Sequence, residues 1–223
     1  MRTHLIKIAQ RTAAMFAATI AGTAILGALA FGTNNTIAQT LLPELILLAL
    51  SISVITVAMH QVLAYESELP CMSGMMIGMT TGMLSGFLIG FLVGATNGMF
   101  VGSLVGIAAG ALSGALVGRC CGIMGVMEGV MAGLMAGTMG PMLAVMLLAD
   151  NYRAFSYLFV ALCVGVFGAL SVFVEREFRT LGKTHAAARN TTTLALWSIA
   201  VTTLIMLIMM LGPHGPLTIL TGV

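Results

Sequence analysis

Long apolar runs alternate with short polar breaks along the whole chain. About twenty consecutive apolar residues cross a bilayer as a helix. Seven runs reach that length, at 12–32, 41–64, 72–95, 98–118, 121–148, 154–174 and 192–212. The breaks are FGTNNTIAQT, YESELPC, ATN, GRCC, DNYR and one longer polar loop, EREFRTLGKTHAAARN. The pattern predicts an all-α polytopic transmembrane bundle of about seven spans, with residues 1–223 forming one membrane domain. The first run follows MRTHLIKIAQR and contains Ala28-Leu29-Ala30, as a signal peptide would. It is longer than an ordinary signal core, so it reads as an uncleaved first span.

A second pattern lies over the first, in the Gly/Met-rich segment 71–148. Glycine recurs at every fourth residue: Gly74, Gly78, Gly82, Gly86, Gly90, Gly94, Gly98, Gly102, Gly106, Gly110, Gly114, Gly118 and Gly122. After one shorter step it resumes at Gly125, Gly129, Gly133 and Gly137, then Gly140. In water each interior glycine weakens a helix by up to ~1 kcal/mol relative to alanine. In lipid the backbone must satisfy its own hydrogen bonds, so these runs stay helical. The missing side chains then let neighbouring backbones approach closely, as in small-xxx-small packing. At about 100° per residue a four-residue step drifts about 40° per turn. The glycines of the third and fourth spans therefore wind around the helix and reach more than one neighbour. Those of the fifth span keep one face. A glycine-zipper core of spans three to five is expected, with the other spans around it.

Composition changes the picture only by excluding alternatives. Hydrophobic residues make up 59% of the chain, charged residues 7%, and the mean hydropathy is +1.09. A soluble domain carries roughly a quarter charged residues, so this chain lacks the polar surface that water requires. There is no basic stripe for nucleic acid. The distribution of charge says more than the net +2. With a cytoplasmic N-terminus, Arg2, Lys7, Arg11, Arg119, Arg176, Arg179, Lys183 and Arg189 all fall inside, and only Arg153 falls outside. The positive-inside rule favours that orientation. Seven spans then place the C-terminus outside, in what reads as a bacterial inner membrane.

The candidate chemistry is sulfur with one acid. Projected at 100° per residue, Cys121, Met124, Met131, Met135, Met139, Met142 and Met146 fall within about 60° of Glu128, with the glycines largely on the opposite side. Pro141 is expected to kink that helix or end its regular part. On the third span, Cys71, Met72, Met75, Met76, Met79 and Met83 occupy a broad sector. The topology brings Cys71, Cys120 and Cys121 to the same cytoplasmic face, together with His60, Glu66 and Glu68. Cytoplasmic thiols stay reduced, and thioether and thiolate ligands prefer soft ions such as Cu(I). Cys71, Met75, Met79, Cys120, Cys121, Met124, Met131 and Met135 are the candidate metal ligands. Glu128 is the candidate for charge compensation or proton coupling, because an acid inside a membrane usually faces a bundle interior or a cavity. Glu44, beside Pro43, is expected at the outer interface. Cys163 is expected to pack.

No nucleophile–base arrangement, phosphate loop or histidine cluster supports catalysis, so the chain does not read as an enzyme. Three functions remain. One is handling or transport of a soft metal ion through Cys and Met ligands. A second is a structural or accessory subunit, whose partners are the bilayer, a second copy or a membrane complex. A third is proton or small-solute transport at Glu128. A cavity facing both the Glu128 side and the Cys71–Met83 sector would favour the first, and Met131 and Met135 pointing into lipid would take most of its weight away.

Overall fold

A computed structural model describes residues 35–64, 70–180, 200–205 and 207–209, and shows helices with no strand among them. The elements are α1 (Asn35–Ala64), α2 (Cys71–Asn97), α3 (Met99–Gly118), a 3-10 turn (Arg119–Cys121), α4 (Gly122–Leu147) and α5 (Tyr152–Thr180). Residues 200–205 and 207–209 are also helical. Four continuous helical stretches are long and apolar enough to cross a membrane: Pro43–His60, Cys71–Asn97, Met99–Leu147 and Tyr152–Val174. The chain is thus compatible with an integral membrane protein. The expected first span, 12–32, lies outside the described residues. The expected seventh is described only in part.

The third stretch, 49 residues long, reverses in its middle. Gly122 adopts φ 68 and ψ −152 after the 3-10 turn, a backbone region that essentially only glycine enters. Gly98, at φ 89, makes the corresponding turn between α2 and α3. These two glycines belong to the four-residue series, but they serve turns. A Cβ at either would meet nothing within 4 Å. For Gly98 this replaces the packing role expected from the spacing alone.

The other glycines of the series are buried between α2, α3 and α4. Along α2 and α3 they pair in antiparallel order, Gly78 on Gly118, Gly82 on Gly114, Gly90 on Gly106 and Gly94 on Gly102. Along α3 and α4 the antiparallel pairs are Gly118–Gly125, Gly114–Gly129, Gly110–Gly133 and Gly106–Gly137. Along α2 and α4 the order is parallel: Gly82 on Gly129, Gly86 on Gly133, Gly90 on Gly137 and Gly94 on Pro141. One four-residue period thus serves three interfaces, because every step advances each helix by about the same rise. A Cβ at Gly86 would stand 3.1 Å from the Gly133 oxygen and 3.2 Å from the Gly106 oxygen, so one glycine touches both neighbours. Ser85 and Ser113 hydrogen-bond across the α2–α3 contact. α4 continues through Pro141 to Leu147. The proline ring fills the space left by Gly90 and Gly94.

The other half of α2 carries the side-chain core. Leu88, Phe91 and Leu92 are buried with Leu48 and Ile52 of α1 and Val160 and Phe167 of α5. The Phe91 ring lies 5.1 Å from Phe159 and 5.5 Å from Tyr152. Cys163 is buried in this core, consistent with its expected packing role. α5 runs on to Thr180, past the expected end at 174.

Candidate functional site

The cysteines gather where α2 begins and the α3–α4 hairpin turns. The Cys121 thiol donates to the Cys71 carbonyl at 2.6 Å. The Cys71 sulfur lies 4.0 Å from the Cys121 carbonyl, so the two residues lie alongside each other. The Cys120 sulfur stands 3.6 Å from the Cys121 sulfur and donates to Val117 O at 3.4 Å. All three are free thiols. Gly74 has a distinct part here. A Cβ on it would stand 2.5 Å from the Cys120 sulfur and 2.8 Å from the Cys121 sulfur. The first glycine of the series therefore makes room for thiols, whereas most of its successors make room for backbone.

Cys121 does not continue the stripe of α4. The 3-10 turn and the positive φ of Gly122 break the helical phase between them, so Cys121 faces α2. From Met124 onward the projection describes the helix well: Gly125, Gly129, Gly133 and Gly137 are buried, and the methionines are on the other side.

That other side faces outward. Met131 and Met135 are 60% and 58% exposed, and Met124, Met127, Met139, Met142 and Met146 are exposed too. Glu128 is exposed among them. On α2, Met72, Met76, Met79 and Met83 are exposed and Met75 is half-buried. An enclosed path between the Glu128 face and the Cys71–Met83 sector was the favourable expectation, and these side chains instead lie on the outer surface of the described bundle. A shallow groove along α5, lined by Leu158, Leu162, Gly165 and Val166, contains neither sulfur nor charge. No group of three or more His, Cys, Asp or Glu among the described residues is disposed to hold a metal ion.

The exposed surface is divided by chemistry. Large exposed side chains on α3 beyond Met99 are Phe100, Leu104, Leu112 and Leu116; on α5 they are Tyr157, Leu158, Leu162, Val166, Val172 and Phe173. On α2 they are all methionine, and on α4 nearly all, with Ile123 and Leu134 beside seven methionines. α2 and α4 are also the two helices that run parallel from the cysteine end. Their register sets Gly82 beside Gly129, which brings Met79 and Met83 level with the turn carrying Glu128 and Met131.

Among the described residues the buried acid is Glu44, not Glu128. Glu44 is only 3% exposed and its Oε2 accepts a hydrogen bond from the buried Tyr152 hydroxyl at 3.1 Å. The pair ties α1 to α5, and the Tyr152 ring stacks on Phe91 of α2. The sequence signal was an acid within an apolar run beside a proline, and the expected interfacial placement missed its partner far along the chain. Asn97 makes another long-range link, its amide donating to the carbonyls of Ile208 and Met209. Glu66 and Glu68 lie outside the described residues.

No protein-family model, curated protein or solved structure matches the chain.

Proposed function

We propose that this membrane protein handles a soft metal ion such as Cu(I), with the N-terminus and the cysteine end in the cytoplasm and the C-terminus outside a bacterial inner membrane. The observation that carries the reading is the sorting of sulfur. Three thiols meet at the foot of α2 and α4, and exposed methionine is concentrated on those same two helices. Ordinary lipid contact does not require that sorting, since α3 and α5 meet it with Leu, Val and Phe. Thiolates and thioethers are soft ligands, and weak repeated ligands suit an ion that must also leave. Cys71, Cys120 and Cys121 take or release the ion. Met75, Met79, Met124, Met131 and Met135 pass it along the surface of α2 and α4, and Glu128 balances its charge or couples its movement to protons.

A second reading draws on the same face. Methionine is adaptable and recurs at binding surfaces, and most glycines of the series are already taken up by contacts within the chain. The bundle would then be an accessory subunit that offers its methionine face to a membrane partner or a second copy. One comparison separates the two. Cells carrying wild type, the triple Cys71→Ser, Cys120→Ser, Cys121→Ser variant, or Met131→Leu with Met135→Leu are compared for copper and silver tolerance and for metal in the purified protein. The soft-ion reading expects both variants to lose metal and shift tolerance. Unchanged metal and tolerance in both variants would sink it and leave the assembly reading.

A further inference from the structure

We infer that Cys120 and Cys121 form a two-thiol chelate for a thiophilic, low-coordination ion of the Cu(I) or Ag(I) class, with Gly74 as the residue that opens its space. The inference rests on the soft-ion reading and narrows it, placing the first binding step at the hairpin tip and not on the methionines.

The geometry supports a chelate without large movement. Two sulfurs at about 2.3 Å from one ion stand about 4.0 Å apart at the 120° of a three-coordinate site and about 4.6 Å apart in a linear one, so the pair need spread by no more than about 1 Å. The Cys120 and Cys121 sulfurs stand 3.6 Å apart. Both point at the same place, the face of α2 where Gly74 has no side chain. Adjacent cysteines on a regular helix diverge by about 100°. Here the 3-10 turn followed by the positive φ of Gly122 turns the pair toward α2. Cys71 lies beside Cys121 and is exposed, so a third thiol borders the open side.

Binding is balanced by proton release. As two metal–sulfur bonds form, the two thiol protons pass to water, and affinity falls with acidity. The Cys121 proton leaves the Cys71 carbonyl. That carbonyl keeps a partner, because the helix directs the backbone N–H four residues on to it. Arg119, exposed and next in sequence to Cys120, adds a positive charge beside the doubly thiolate-bound monovalent ion.

The test uses the full chain purified in detergent under reducing conditions, titrated with Ag(I), with retained silver measured after desalting. Proton release and protection of thiols from a maleimide reagent are followed in parallel. Wild type is expected to retain silver with protection of Cys120 and Cys121. Cys120→Ser, Cys121→Ser and Gly74→Ala are expected to reduce retention at least tenfold, while Cys163→Ser leaves it unchanged. Circular dichroism and gel filtration identify variants that fail to fold; the near-isosteric serine variants carry the test if Gly74→Ala does. Full retention in Cys120→Ser or Cys121→Ser, with loss in Met131→Leu, would overturn the chelate and leave the soft-ion reading in place. No retention by folded wild type would overturn both.

Discussion

At the scale of single residues, the clearest long-range polar contact is the bond between Tyr152 and Glu44. Sequence places the two residues far apart, and each is nearly inaccessible. A carboxylate oxygen buried without its donor bears a desolvation penalty, whereas hydrogen bonds between membrane helices contribute little in net terms. Tyr152→Phe is therefore expected to lower stability by about 1–2 kcal/mol. Glu44→Gln keeps an acceptor oxygen for the tyrosine and is expected to lower it less. Reversible unfolding in mixed micelles measures both, and equal stability of Tyr152→Phe and wild type would show that the bond contributes nothing. Glu128 makes the complementary point. Its position in an apolar helix suggested an interior acid, yet α4 turns it outward with the methionines, because the opposite face is occupied by the buried glycines together with Ala132, Ala136 and Pro141.

At the scale of elements, most glycines either touch the backbone of a neighbouring helix or touch nothing, with Gly74 set against thiols and Gly90 against the Pro141 ring. A Cβ at Gly133 would collide with the α3 backbone at Gly110 and Ala111, whereas at Gly165 and Gly168 of α5 it would meet no atom within 4 Å. Between membrane helices there is little hydrophobic driving force, so close contact itself holds them together. Gly133→Ala must push α3 and α4 apart and is expected to destabilise the protein by about 1–3 kcal/mol. Gly165→Ala is expected to be neutral or to stabilise by up to about 1 kcal/mol, since alanine is the better helix former. Thermal unfolding of the two variants side by side gives the answer. Similar losses in both would mean that glycine acts through helix propensity and not through contact.

At the scale of the whole molecule, three glycine-bearing helices form a close-packed unit, and α1 and α5 pack on the aromatic half of α2. This arrangement puts the cysteines at one end of the bundle and the α4–α5 turn, with Asp150, at the other. The positive-inside orientation then predicts sidedness. A membrane-impermeant maleimide should label Cys71 only when it has access to the cytoplasmic face. A cysteine at the other end, Asp150→Cys, should react only from outside. Labelling of both from one side would overturn the hairpin topology, and exchanged sides would invert the orientation. The same arrangement explains why the exposed methionines of α2 and α4 start at the same end: the two helices run parallel from the cysteines.

Much of this was legible in the chain. Apolar runs of bilayer length determined the described helices, since a single apolar run of about twenty residues satisfies its own backbone in lipid only as a helix. The glycine period determined which three helices pack most closely, and on α4 it fixed which face is buried. The gathering of Cys71, Cys120 and Cys121 at one end followed from the alternation of spans. What remained was decided by tertiary structure. Periodicity reports a residue's angle on its own helix and is silent on what lies across from it, so the outward direction of Met131 and Met135 was not readable. A helical projection also assumes unbroken phase, and the turn at Gly122 broke it, sending Cys121 toward Gly74. The Glu44–Tyr152 bond needed two distant helices to be placed side by side, which depends on packing and leaves no local trace in sequence.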